Sequence, residues 1–119
     1  MNGKHLIVDF YECNKKKILN SVFDLLLNLP KVIGMTKLTQ PYVFPFHPKT
    51  KQGWNWGISG FVIIAESHIS IHTVSDERRV YLDVFSCKNF DTKPVISFIR
   101  KTFEPKKLSY KEIERPIII

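Results

Sequence analysis

Three runs rich in β-branched and aromatic residues follow one another almost without a break: residues 58–66 (ISGFVIIAE), 68–73 (HISIHT) and 79–86 (RVYLDVFS). Runs this short, bounded by turn formers, read as strands, and strands joined so closely pair with one another. They make the centre of a sheet, and every other element has to pack around them.

What precedes and follows is organised accordingly. Residues 4–11 (KHLIVDFY) read as an opening strand, broken by the polar stretch Glu12 to Asn14. Asn14 is a good N-cap. From Lys15 to Leu29 the apolar residues Ile18, Leu19, Val22, Phe23, Leu25, Leu26 and Leu29 recur at helical spacing and face a sheet, and Pro30 marks the helix end. Residues 32–46 carry Pro41 and Pro45, which fits an edge strand running into a loop. The segment from His47 to Trp56 reads as a mobile loop. A second amphipathic helix spans 92–103, with Val95, Ile96, Phe98, Ile99 and Phe103 apolar, and a last strand spans 106–113.

The order β-α-β-β-β-β-α-β predicts an α+β fold: a two-layer α/β sandwich, with a mainly antiparallel sheet and both helices on one face. The other sheet face is left uncovered. Dimerisation is the expected way to cover it.

At 119 residues the chain makes one domain, and 44% hydrophobic with 24% charged residues is ordinary for a chain that folds. No run approaches the roughly 20 apolar residues of a membrane span, and Met1 to His5 lead into strand-like sequence without signal-peptide organisation. The expectation is a cytoplasmic protein with no membrane partner. Cys13 and Cys87 lack any CxxC spacing, so neither a disulfide framework nor a zinc module is indicated. The net charge of +7 is dispersed in short clusters, Lys15 to Lys17 and Lys106-Lys107, which argues against nucleic acid as a partner.

Chemistry concentrates in residues 59–73 (SGFVIIAESHISIHT). Strand alternation sends Ile69 and Ile71 to one face and His68, Ser70 and His72 to the other. Three readings are open on the residues alone. A half-solvated strand would simply display its histidines. A metal site would use both imidazoles, but four residues of strand span roughly 13 Å, too far for one ion. A serine hydrolase would need an elbow motif around Ser67, and GxSxG is absent.

The segment Ala65-Glu66-Ser67-His68-Ile69-Ser70-Ile71-His72-Thr73 resembles the self-processing motif of the prokaryotic S-adenosylmethionine decarboxylases. The likeness extends to Ser59-Gly60 before it, to Leu82 through Cys87 after it, and to His5-Leu6 and Phe10 through Cys13 in the opening strand. It implies a carboxy-lyase made as a proenzyme. The Ser67 hydroxyl would attack the Glu66 carbonyl to give an ester. Elimination and hydrolysis would then leave a pyruvoyl group on Ser67, with residues 1–66 as the β chain and 67–119 as the α chain.

That group is the implied cofactor, an electron sink that forms a Schiff base with substrate, in place of pyridoxal phosphate or a metal. By the same likeness His72 is the processing base, Ser59 supports the acyl shift, and Cys87 is the proton donor after decarboxylation. The implied role is supplying decarboxylated S-adenosylmethionine for polyamine (spermidine) biosynthesis.

The sequence departs from the family pattern where substrate is chosen. Val74-Ser75-Asp76 replaces the usual Trp-Pro-Glu, so Asp76 stands where a glutamate is similar to one that binds ribose hydroxyls. The loop carries Trp54 and Trp56 where family members are similar in placing an aromatic that stacks on adenine, Trp54 being the candidate taken, and Lys88 follows Cys87 where glycine is usual. Relatives with the same processing core act on arginine or ornithine, which keeps that substrate as the alternative. A small basic binding module, never cut, is the non-enzymatic one.

Overall fold

The structure, a computed structural model, describes residues 2–46, 49–50, 53–54 and 56–116. Strand β1 (Asn2–Tyr11) leads to helix α1 (Lys15–Val32), then β2 (Tyr42–Phe46), two short strands β3 (Lys49–Thr50) and β4 (Gly53–Trp54), β5 (Gly57–Ile64), β6 (Ser67–Val74), a 3-10 turn at Ser75–Glu77, β7 (Arg79–Ser86), α2 (Thr92–Phe103) and β8 (Lys107–Pro116). Six strands form one sheet in the order β2-β5-β6-β7-β1-β8, every neighbouring pair antiparallel. This is the expected α+β sandwich.

The core lies on one side of that sheet. Leu6, Val8 and Phe10 of β1, Val62 and Ile64 of β5, Ile69 and Ile71 of β6, and Val80, Leu82 and Val84 of β7 are buried. Ile18, Val22, Leu25, Leu26 and Leu29 of α1 and Val95, Ile99 and Phe103 of α2 close over them. Both helices cover the same face because their apolar stripes are the only surface that matches this alternating set. Gly60 permits the close approach: a Cβ there would lie 2.7 Å from Leu26 Cδ1 and 2.9 Å from Tyr42 O.

Local chemistry explains the element ends. Asn14 Oδ1 accepts from the amides of Lys16 and Lys17, as an N-cap should, and Asp91 does the same for Lys93 at α2. Helix α1 does not stop at Pro30 but runs to Val32. A proline this near the end removes only its own bond to the preceding turn. Its carbonyl accepts from Met35 N at 2.8 Å, and Gly34 at φ +73° turns the chain. Phe23, expected on the core stripe, is 46% exposed.

The loop 47–56 holds the β3–β4 pairing, which its turn formers did not reveal. Its remaining residues 47–48, 51–52 and 55 lie outside the described residues, and with them the expectation of mobility.

Tyr42, Phe44, Phe46, Phe61, Ile63 and Ile113 are exposed apolar side chains of the sheet strands. Phe61 with its β2 partner Tyr42, and Ile63, belong to the face away from the helices, along with His68, Ser70 and His72. At the opposite margin the Thr92 hydroxyl and the Lys4 ammonium hold the Glu112 carboxyl below its ordinary range, tying α2 to β1 and β8. No helix among the described residues is long and apolar enough to cross a membrane.

Candidate active site

Ala65 and Glu66 form the two-residue turn between β5 and β6, with Ile64 paired to Ser67 across it. The turn begins earlier than the sequence run to Glu66 implied, since β5 ends at Ile64. Glu66 has φ +75°, the left-handed region that non-glycine residues enter at a cost of about 1–2 kcal/mol. Such strain persists only when neighbours fix it, and functional sites are where it gathers. Here Ala65 N donates to Thr36 O at 2.7 Å on one side, and Cys87 N approaches Glu66 O at 3.4 Å on the other.

Ser67 opens β6 directly after this strained residue. Its hydroxyl donates to the Glu66 carbonyl oxygen and accepts from Cys87 N at 2.8 Å. The pairing of Ser67 with Ser86 carries Cys87 there, one residue past the end of β7. A hydroxyl held against the carbonyl of the preceding peptide is the donor set that an internal acyl shift needs. The chain's own atoms therefore fit a pyruvoyl group made at Ser67. Cys87, whose amide meets the Ser67 hydroxyl, is itself half-buried.

The second group of expected residues lies elsewhere. Ser59 and His72 face each other across β5 and β6, with Ser59 Oγ 2.8 Å from His72 Nδ1. Asp76 belongs to the same end of the sheet: its Oδ2 accepts from Trp56 N at 2.9 Å, and Ser75 N donates to Trp56 O at 2.9 Å. The buried Thr73 and Ser75 hydroxyls join at 2.7 Å, and Thr73 Oγ1 accepts from Ile58 N, which fixes this corner. His72 and Ser67, five positions apart on one extended strand, are separated by roughly 16 Å. The chain thus presents two separate groups, Glu66-Ser67-Cys87 and Ser59-His72-Asp76.

Beside the second group Phe44 escaped sequence reasoning, and of the two loop tryptophans sequence reasoning favoured Trp54. Trp56, rather than Trp54, is the tryptophan locked to Asp76; the Trp54 side chain lies outside the described residues. Phe44 pairs with Ser59 on β2, and only the register of that edge strand reveals it. Among the described residues no group of three metal-ligating side chains forms.

This geometry can be set beside known proteins. The sequence profile of S-adenosylmethionine decarboxylase matches residues 4–116. The chain belongs to the S-adenosylmethionine decarboxylase family. An S-adenosylmethionine decarboxylase proenzyme of Clostridium botulinum (strain Langeland) is 32% identical over 117 residues, covering 96% of this chain and 94% of that one. One from Pyrococcus furiosus is 32% identical over 118 residues, covering 97% of this chain and 79% of its own. In three dimensions the adenosylmethionine decarboxylase of Aquifex aeolicus is similar with a TM-score of 0.77 at 27% identity, over 98% of this chain and 92% of that one. The family carries the α+β fold described above.

Proposed function

We propose that this chain is a proenzyme that cuts itself between Glu66 and Ser67 and then decarboxylates S-adenosylmethionine. The observation that carries the reading is the Ser67 hydroxyl, held between the strained Glu66 carbonyl and the Cys87 amide. The names of the relatives favour S-adenosylmethionine over arginine or ornithine. With a pyruvoyl group in place, the site would have an electron sink for the carbanion that loss of carbon dioxide leaves. Cys87 is then the acid that returns a proton to carbon.

His72 and Ser59 serve the cut, and Asp76 with a tryptophan of the loop holds the nucleoside. Since these lie about 16 Å from Ser67 in one protomer, we assign the working site to a homodimer. The sheet face opposite the helices, with its exposed Phe44, Phe61 and Ile63, is a surface that a second copy would cover. A two-fold axis lying between the stacked sheets, across the direction of β6, sets His72 of one copy toward Ser67 of the other.

A denaturing mass spectrum tests the cut: two fragments meeting at 66/67, the second blocked at its N-terminus, are expected. A chain that stays whole through prolonged incubation would refute it. Carbon dioxide release measured in parallel on S-adenosylmethionine, arginine and ornithine tests the substrate.

A further inference from the structure

We infer that the backbone N–H of Cys87 is the oxyanion donor of the cutting reaction, a task separate from that of the Cys87 thiol. The inference rests on the self-cutting reading above. In the acyl shift, Ser67 Oγ bonds to the Glu66 carbonyl carbon and the carbonyl π pair moves onto Glu66 O. The carbon–nitrogen bond then breaks, and the hydroxyl proton ends on the Ser67 nitrogen. An ester and a free amine result, and nothing is oxidised or reduced. The charge to be stabilised is the one that appears on Glu66 O.

The Cys87 amide is built into position for that charge. It stands 2.8 Å from Ser67 Oγ and 3.4 Å from Glu66 O. In the uncut chain its bond to the carbonyl oxygen is long, so a strong one forms only as that oxygen becomes negative. An interaction that improves toward the transition state is one that lowers the barrier. Ser59, the residue that the family likeness assigns to this support, belongs to the other group, beside His72.

The peptide that carries the donor is fixed by its neighbours. Lys88 N donates to Ser86 Oγ at 2.9 Å, and the fully buried Ser86 hydroxyl donates to Met35 Sδ at 3.4 Å. This side-chain turn sets the direction of the amide between them. A donor that needs no reorganisation is worth most at the moment charge develops. The positive φ of Glu66 supplies the matching half, since it directs that residue's carbonyl toward β7 instead of along the hairpin.

The test compares two full-length chains, Cys87→Ala and the same chain with lactic acid in place of that alanine, introduced by nonsense suppression. Both lack the thiol, and they differ by one N–H. Rates of appearance of the two fragments are followed by mass spectrometry, with melting temperatures recorded for both. Loss of one oxyanion donor predicts cutting about 100-fold slower in the ester chain. Equal rates in two folded chains overturn the inference. Cys87→Pro, which also removes the N–H, is the second variant, and cutting at the Cys87→Ala rate overturns it equally. If the unaltered chain is never cut, the proposed function fails instead, so the two failures are distinguishable.

Discussion

Ser59 Oγ and His72 Nδ1 lie 2.8 Å apart across β5 and β6, at the far end of the strand that Ser67 begins. If the proposed dimer forms, a base so placed would serve the partner copy rather than its own chain. His72→Ala and Ser67→Ala chains should each stay whole when made alone. Produced together and assembled as mixed dimers, they should yield cut His72→Ala chain, because its Ser67 meets an intact His72. Mixed dimers that contain no cut chain would rule out the shared site.

Cutting and decarboxylation should separate by residue. Ser67→Ala removes the attacking oxygen and abolishes the 66/67 fragments on a mass spectrum. Cys87→Ala still yields fragments but loses carbon dioxide release by on the order of 100-fold, the usual scale for removing a general acid. Release at the unaltered rate would show that another group delivers the proton.

Gly60 of β5 lets α1 and β2 come close because it has no side chain. In Gly60→Ala the new methyl meets Leu26 Cδ1 at 2.7 Å and the Tyr42 carbonyl at 2.9 Å. The leucine tip can turn aside, but the strand carbonyl cannot without opening β5 from β2. Overpacking of this kind costs about 1–3 kcal/mol, which should lower the thermal midpoint by several degrees. A midpoint unchanged within error would mean that the edge strand yields freely.

Cys13, two residues past the end of β1, is buried, and burial pushes its thiol up to about 11, while Arg78 pulls the other way. The unfolded thiol ionises lower, so the unfolded chain gives up its proton first as pH rises. Stability contributed by the neutral thiol is complete below the unfolded value and is lost between roughly 8.5 and the folded value. Denaturant midpoints at pH 8 and pH 10.5 should therefore differ less in Cys13→Ala than in the unaltered chain. An identical difference in both would exclude Cys13 as the cause.

Much of this was legible in the sequence because it depends on local pattern. Alternation along 58–86 and the helical stripes of 15–29 and 92–103 are local, and burial follows them closely. Asn14 and Asp91 are caps because of bonds made within three residues. The end of α1 was misread because proline was weighed as a breaker, without regard to how few bonds remained beyond it. The separation of Ser67 from His72 was within reach, since strand rise alone gives the distance. What no local rule supplies is register: that Cys87 N reaches Ser67, or that Phe44 sits beside Ser59, depends on how distant strands align.

The strand order has a last consequence. A cut at 66/67 leaves β1, β2 and β5 in the first fragment and β6, β7 and β8 in the second, yet across the sheet they run β2-β5, then β6-β7, then β1, then β8. The two pieces are interlocked like fingers, and pulling them apart would mean opening the seams on both sides of β1 as well as the one at the cut. Maturation can therefore sever the backbone in mid-sheet without releasing a subunit, and the mature enzyme would come apart only by unfolding.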